Sequence, residues 1–215
     1  MTILALDTTS EFGSVAIRRG GKTLSEQTLQ ADDGFAHRIF AMIEAALKDA
    51  GVHLADIELF AAASGPGSFT GVRVGLAAVK GLAETMAKPA VGVSNLKALG
   101  SFGKLPIRAV ILDARRHEIY CGVYSADLQP IQPESVMPLQ SWLASLEDIE
   151  YELISNLGSD ILLGTRFAAM PFLNPPKYLA TAVAVCAEKS PALDPALLDA
   201  NYVRRSDAEL FWKDS

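Results

Sequence analysis

Two aspartates in this chain stand where a carboxylate could meet a nucleotide phosphate or its accompanying cation. Asp7 ends an apolar run and is followed at once by the hydroxyls of Thr8 and Thr9, and Asp113 ends a second apolar run. Hydroxyls and backbone N–H groups at such a turn can bind phosphate oxygens, so these four residues form a candidate nucleotide site. Thr9 stands where a glycine would allow close backbone approach, and in the alternative interpretation both carboxylates only bond their own turns.

The histidines are candidate metal ligands. The chain has three, His37, His53 and His117, and none has a second histidine or an acid at ligand spacing on one helical face. His117 and Glu118 are adjacent on a predicted strand, where neighbouring side chains point to opposite faces. The sequence therefore predicts no catalytic metal site built by this chain alone.

Two serines are candidate nucleophiles. Ser64 and Ser68 lie beside glycines near a strand-to-helix turn, but the spacing is not the Gly-x-Ser-x-Gly of a nucleophile elbow. Only His117 follows them as a partner base. We therefore expect these hydroxyls to cap the helix or to bond the loop.

The composition predicts a globular protein in a reducing compartment. The chain has 215 residues, 50% of them hydrophobic, and no apolar run near the roughly 20 residues that cross a membrane. Its start shows no basic segment or cleavage site, and its two cysteines form neither a disulfide framework nor a metal motif, so we expect a cytoplasmic location. The net charge of −6 argues against a grip on nucleic acid by this chain alone.

A glycine-rich stretch connects a short apolar strand to a helix predicted at 70–88. The Gly65-Pro66-Gly67 segment predicts a tight reversal, because proline fixes one backbone torsion and the glycines permit positive φ on either side. Ser68 or Thr70 is expected to cap the helix. The stretch lacks the lysine of a P-loop, so its glycines suit a turn better than a triphosphate.

Two predicted helices, at 35–50 and 70–88, have more apolar surface than one contact requires. The charged side chains of the second helix share a single arc of its surface: Arg73, Lys80, Glu84 and Lys88. A helix that is apolar on most sides needs cover on two of them. One side can dock on a sheet, and the other is then available to a helix of this chain or another. In the alternative interpretation both sides are simply core.

The predicted elements occur in two similar halves, which indicates an α/β fold with two tandem lobes. Residues 1–102 open with three antiparallel strands, with a hairpin turn at Gly20-Gly21, and continue with alternating helices and strands. Residues 103–215 open with strands at 107–113 and 118–124 and end in a polar tail. This order suits the actin-like ATPase fold (ASKHA, ribonuclease H-like), in which the turn after the first strand of each lobe holds the nucleotide phosphates.

Local signals set the predicted ends of several elements. Asp32 or Asp33 precedes the first helix and is a suitable N-cap, and Gly51 is a suitable C-terminal stop. In the second half a short strand is predicted at 161–163 and a helix at 178–189, after a proline-rich crossing.

Several segments carry a resemblance to a known family. They are Ile3 to Thr9, the single His37 before the first helix, the eleven-residue motif from Gly65 to Gly75, and Asp113 to Tyr120. In these segments the chain resembles the bacterial TsaB (YeaZ) family, closely over residues 1–125 and in outline beyond.

The resemblance implies a two-lobed actin-like fold and a scaffold without independent catalysis. The family binds and activates TsaD, which transfers a threonylcarbamoyl group onto the adenosine next to the anticodon of ANN-decoding tRNAs, and the ATPase TsaE joins them. TsaD carries a His-x-x-x-His metal pair whose positions fall on Asn95 and Leu99 here, and leucine cannot bind a metal. The resemblance thus implies no resident cofactor, apart from ATP or ADP at a subunit or lobe interface, and tRNA contact only through the complex.

The resemblance also implies that the two first-lobe helices form the partner surface and that two copies pair when the partner is absent. The residues expected at this surface are Phe35, Ile39, Met42, Ile43, Val72, Gly75, Leu76, Ala78, Val79 and Leu82. The competing hypothesis is an independent enzyme, either an ATPase that uses Asp7 or a glycoprotease-like peptidase, as an older label of the family suggests.

Overall fold

The structure is a computed structural model and describes residues 1–203. The predicted polar tail lies mostly beyond residue 203, outside the described residues. The strands are β1 (Thr2–Asp7), β2 (Phe12–Arg19), β3 (Lys22–Gln30), β4 (Leu59–Gly65), β5 (Ala90–Ser94), β6 (Ile107–Asp113), β7 (Ile119–Ser125), β8 (Pro130–Met137), β9 (Glu152–Ser155) and β10 (Phe172–Leu173). The α-helices are α1 (Ile39–Ala50), α2 (Phe69–Met86), α3 (Asn95–Gly100), α4 (Leu139–Ser145) and α5 (Ala180–Ala187).

The strands form two five-stranded sheets with the same topology. The first has the order β3-β2-β1-β4-β5, and the second has the order β8-β7-β6-β9-β10. In each sheet the opening strand is antiparallel to the next strand in the chain and parallel to a later one. The two-lobed α/β prediction is confirmed, and so is the repetition of one strand order along the chain.

Helices cover both faces of the first sheet. On one face α1 lies over β2 and β3, while α2 lies over β4, β1 and β5. Because β3 and β4 both run parallel to β1, the helices that follow them start at the same end of the sheet, and their apolar side chains share one cluster. On the other face α3 and α5 fill the space between the two sheets, in one apolar cluster to which both sheets contribute.

Helix α5 follows the strands of the second sheet in the chain but packs on the first sheet. This helix lies in the half of the chain assigned to the second lobe, but it packs on β1, β2, β4 and β5 of the first sheet. Its apolar side chains are buried there, among them Val183 and Ala184 at 0% exposure. The chain therefore returns to the first lobe after completing the second sheet.

Local details also differ from the sequence predictions. Neither Asp32 nor Asp33 caps α1, which begins four residues late with Arg38 at its N-cap position and no side-chain cap. Asp33 instead forms an ion pair with Arg38, which competes for the carboxylate. Ser68 does cap α2, where its Oγ accepts the Gly71 N–H at 3.2 Å. The predicted strand at 161–163 is wrong, because a 3-10 turn occupies Ser159–Leu162.

Candidate functional site

A cleft of about 740 Å³ lies between the two lobes and receives the turns that follow β1 and β6. Asp7, Thr8 and Thr9 line it from the first lobe, and Asp113 lines it from the second. The four residues of the candidate nucleotide site are therefore brought to one cavity. The helix starts of α1 and α2 lie at its rim, because both helices begin at this end of the first sheet.

The Asp7 carboxylate is buried and bonded to its own turn. One of its oxygens accepts the backbone N–H of Thr9 at 2.9 Å and the Thr9 hydroxyl at 2.6 Å. Burial raises the pKa of the Asp7 carboxyl, and the two bonds from Thr9 lower it by less. This arrangement agrees with the alternative interpretation, in which the carboxylate bonds only its own turn.

The hydroxyls of Thr8 and Thr9, beside Asp7, also form hydrogen bonds within the chain. The Thr8 Oγ1 donates to the Gly71 carbonyl at 2.7 Å. The Thr9 Oγ1 donates to Asp7 and accepts the Asn95 Nδ2–H at 2.5 Å. A phosphate at this turn would have to compete with these bonds for its donors.

Three glycines of the motif allow α2 to approach the turn after β1. A Cβ atom on Gly67 would lie 2.6 Å from the Thr9 carbonyl oxygen, and one on Gly75 would lie 2.7 Å from the Thr8 Oγ1. A Cβ on Gly71 would overlap the Thr8 carbonyl oxygen outright. Gly75 was expected to admit a partner, and the structure instead uses it for contact within the chain. The regular four-residue spacing of the glycines is the signal that could have indicated this.

Asn95, which lines the cleft, connects the end of β4 to the turn after β1. Sequence reasoning missed this role. Its side chain is buried, its Oδ1 accepts the Gly65 N–H at 3.0 Å, and its Nδ2 donates to Thr9. Leu99, one turn later on α3, is buried in the cluster between the sheets. Both positions at which the resemblance places metal ligands thus have internal structural contacts.

Asp113 repeats the arrangement of Asp7 in the second lobe with less burial. Its Oδ1 accepts the Arg115 N–H at 2.8 Å, and its other oxygen lies 3.4 Å from the Arg115 guanidinium. Arg115, Arg116 and His117 all have positive φ, at 60°, 55° and 62°. This left-handed turn returns the chain directly into β7.

Charge in the cleft is mainly negative. The acidic residues that line it are Asp7, Glu11, Asp32, Asp33 and Asp113, and the basic ones are Arg115 and Lys177. Asp113 pairs with Arg115, and Lys177 stacks over the ring of Phe12 at 4.4 Å. Such a lining disfavours the binding of a polyphosphate that has no accompanying cation.

Nine of the ten residues predicted for the partner surface are buried in this chain, and the tenth, Leu82, is partly buried. They fill the core between α1, α2 and the first sheet: Phe35, Ile39, Met42, Ile43, Val72, Gly75, Leu76, Ala78 and Val79. A partner cannot reach these side chains in this conformation. The prediction of a surface on the two helices therefore needs other residues.

The solvent side of the two helices carries charged residues together with several small or apolar ones. On α1 the exposed positions include Phe40, at 60% exposure, and Ala41; on α2 they include Ala77 and Gly81. Val74 is half-buried on the same side of α2. No atom lies within 4 Å of where a Cβ on Gly81 would be, so internal packing does not require a glycine there. We refer to Phe40, Ala41, Val74, Ala77 and Gly81 as the outer face.

The other candidates for chemistry are dispersed. His37, His53 and His117 are exposed on separate segments. Within residues 1–203 no three histidine, cysteine, aspartate or glutamate side chains are grouped as a metal would require. Nor does that part of the chain contain a helix long and apolar enough to cross a membrane.

Comparison with known proteins gives consistent matches over most of the chain. A family model described as TsaD, tRNA N6-adenosine threonylcarbamoyltransferase, matches residues 26–172. The chain is 28% identical over 229 aligned positions to the tRNA threonylcarbamoyladenosine biosynthesis protein TsaB of Bacillus subtilis (strain 168), covering 100% of this chain and 99% of that protein. It is 33% identical over 182 positions to the protein of that name from Escherichia coli (strain K12), covering 80% of this chain and 75% of the relative.

A solved structure described as YeaZ from Pseudomonas aeruginosa has the same fold. It superposes with a TM-score of 0.80 at 25% identity and covers 94% of this chain and 99% of the other. Together with the topology of the two sheets, this match confirms the predicted two-lobed fold of the actin-like ATPases.

Proposed function

Because this chain belongs to the TsaB (YeaZ) family, we propose that it is a non-catalytic scaffold subunit in the formation of threonylcarbamoyladenosine in tRNA. Its role in this biosynthesis follows from the full-length likeness to proteins named for it, which is the observation that carries the proposal. In this role it binds and activates the TsaD transferase together with TsaE, so that the threonylcarbamoyl group reaches the adenosine next to the anticodon of ANN-decoding tRNAs. This role places the chain in the cytoplasm, with tRNA bound through the complex.

The chemistry of the cleft supports a role without catalysis. Asn95 and Leu99 stand where the resemblance places the metal ligands of the transferase, and leucine offers no ligand atom. Both polar atoms of Asn95 are bonded to neighbouring loops. Ser68 serves as a helix cap, and no histidine is among the described residues that line the cleft with it.

The outer face supports the binding of a related subunit. Between their charged residues the two helices expose Ala41, Ala77 and Gly81, where small or absent side chains let a second pair of helices approach the backbone closely. The family model that matches this chain is that of the transferase, so both subunits can offer the same helix pair to the contact. In the absence of the transferase, two copies of this chain would use this face for each other.

ATP or ADP at a subunit or lobe interface stays a prediction. The cleft is large enough for a nucleotide, while its negative lining and its committed hydroxyls oppose one. An independent ATPase or peptidase is the competing function, and it requires activity of the purified chain alone. Hydrolysis of ATP that is lost in Asp7→Ala and kept in the exposed control Asp160→Ala would favour this competitor.

A reconstituted modification assay tests the proposal. Substrate tRNA would be incubated with TsaD, TsaE and the threonylcarbamoyl donor, with or without this chain, and the modified nucleoside would be measured by mass spectrometry. We expect formation of the nucleoside to depend on the chain and to survive Asp7→Asn. Equal formation without the chain would refute the proposed role.

A further inference from the structure

An aromatic and cationic cluster lies on the surface at the start of α2. Phe69 and Tyr202 are 44% and 49% exposed, with ring centroids 5.7 Å apart. The Arg73 guanidinium lies 3.6 Å from the Phe69 ring centroid, and its Nε donates to the Tyr202 hydroxyl at 3.2 Å. The three side chains hold one another in place on the surface, and we call them the α2 cluster.

The backbone that carries Tyr202 is firmly fixed. The Asn201 N–H donates to the Ser64 carbonyl at 2.8 Å, and its side-chain Nδ2 donates to Glu134 Oε2 at 2.6 Å. The Asn201 carbonyl packs so closely on Gly65 that a Cβ there would lie 3.2 Å from its oxygen. An exposed ring therefore rests on an ordered scaffold, so little conformational freedom remains to be lost when a partner binds.

Arg73 also brings a positive charge to the cluster. Over residues 1–203 the Arg73 guanidinium makes no ion pair; its recorded contacts are a phenol and an aromatic face. Arginine, tyrosine and phenylalanine are the types that concentrate binding energy at protein interfaces. A carboxylate on a partner would complete the arrangement by a charge-assisted hydrogen bond.

The position of the cluster indicates which partner it meets. Phe69 and Arg73 lie on the same helix as the outer face, and Arg73 directly precedes Val74. A subunit that covers Val74 and Ala77 therefore passes beside the cluster. The C-terminal segment, residues 190–203, follows α5 along the first lobe and would in this way add Tyr202 to a surface otherwise built from helices.

We propose that the α2 cluster is an anchor for the transferase subunit, which places a carboxylate on Arg73 and an apolar side chain against Phe69 and Tyr202. This inference rests on the proposed function and deepens it, because it extends the contact from the outer face to the C-terminal segment. Contact with the bases or phosphates of tRNA is the competing use of the same three side chains.

Affinity measurements on the full chain test the anchor. The Kd for purified TsaD would be measured by calorimetry for the wild type, Tyr202→Ala, Arg73→Gln and the matched control Leu163→Ala, which shortens another exposed apolar side chain on the second lobe. We expect Kd to rise about 10-fold to 100-fold in the first two variants. We expect no change in Leu163→Ala, and the thermal midpoints should stay close to that of the wild type because these side chains are exposed.

The outcomes separate the anchor from the proposed function. If Ala77→Arg on the outer face weakens binding while Tyr202→Ala and Arg73→Gln leave Kd within twofold, the anchor is refuted and the scaffold role stands. If the wild-type chain itself does not bind TsaD, the proposed function fails and the anchor fails with it. Loss of labelled-tRNA binding in Tyr202→Ala with unchanged affinity for TsaD would also overturn the anchor.

Discussion

Gly71 and Thr8 are in direct backbone contact, with the Thr8 hydroxyl donating to the Gly71 carbonyl at 2.7 Å and no room for a Cβ between them. This contact joins the start of α2 to the turn after β1. It accounts for a glycine in the first turn of a helix, where the residue would otherwise cost stability. The motif that identifies the family thus holds the first lobe together at the edge of the cleft.

Gly71→Ala should destabilise the chain by about 3 kcal/mol or more, because the new methyl group must displace backbone atoms. Gly81→Ala, on the same helix, is the matched control and should stabilise the chain by about 0.5 to 1 kcal/mol, because its Cβ would meet open space. Urea unfolding of both variants measures the difference. Equal stability of the two variants would contradict the assigned packing.

Asn95→Ala should cost about 2 to 4 kcal/mol of unfolding free energy. The change leaves the buried Gly65 N–H without its acceptor and removes a bond to the Thr9 hydroxyl. Asn174→Ala provides the comparison at an exposed asparagine and should change the unfolding free energy by less than about 0.5 kcal/mol. A similar cost at both positions would show that Asn95 is not the link between the two loops.

Asp7→Asn should raise stability relative to the wild type increasingly as the pH rises. The pKa of Asp7 is raised by burial, so the fold favours the protonated carboxyl. That preference is fully present below the unfolded pKa of about 3.9 and is lost as the pH rises through the folded pKa. Above this window the wild type carries a buried charge that the asparagine lacks, while the amide oxygen can still accept from Thr9.

Urea unfolding at pH 4, 5.5 and 7 gives the difference between Asp7→Asn and the wild type. Asp33→Asn should follow the opposite trend, because the hydrogen bond from Arg38 lowers the pKa of Asp33 and its contribution is lost as the pH falls. A difference for Asp7→Asn that is constant or shrinks towards neutral pH would contradict the predicted protonation.

Glu134→Ala should loosen the C-terminal segment from the second lobe. Its carboxylate accepts hydrogen bonds from Ser94, from Tyr124 at 2.5 Å and from Asn201 at 2.6 Å. Removal leaves these donors without their acceptor and should cost about 2 to 4 kcal/mol, while Glu134→Gln keeps one acceptor oxygen and should lose less. Hydrogen exchange at the Asn201 amide is the measurement, and unchanged protection in Glu134→Ala would exclude this link.

The sequence predicted the secondary-structure elements better than it predicted the tertiary contacts between them. Apolar runs and glycine turns located β1, the hairpin at Gly20-Gly21 and both first-lobe helices, since these signals act within a few residues. The return of α5 to the first sheet was missed, because the contacts that hold it join residues far apart in the chain. Asn95 was missed for the same reason, as its partners Gly65 and Thr9 come from two other loops.

The position of the candidate site could be predicted from the sequence, while a nucleotide ligand there stays a prediction. Asp7 and Asp113 were expected at one cleft because equivalent turns of the two lobes face each other in this fold class, and both line it. Apolar periodicity predicted that α1 and α2 each pack against other elements on two sides. It could not show whether those elements belong to this chain or to a partner. The chain itself covers Val72, Leu76 and their neighbours, which leaves Ala77 and Gly81 outward.

The affinity of the chain for TsaD, compared between Ala77→Arg and Ala144→Arg, tests the central claim most directly. Both alanines are exposed on helices, one on the outer face and one on α4 of the second lobe. Ala77→Arg should weaken binding about 100-fold, which corresponds to about 2.7 kcal/mol, because a guanidinium would be buried without a partner. Ala144→Arg should bind like the wild type. Equal affinities of the two variants would contradict the assignment of the outer face to the transferase.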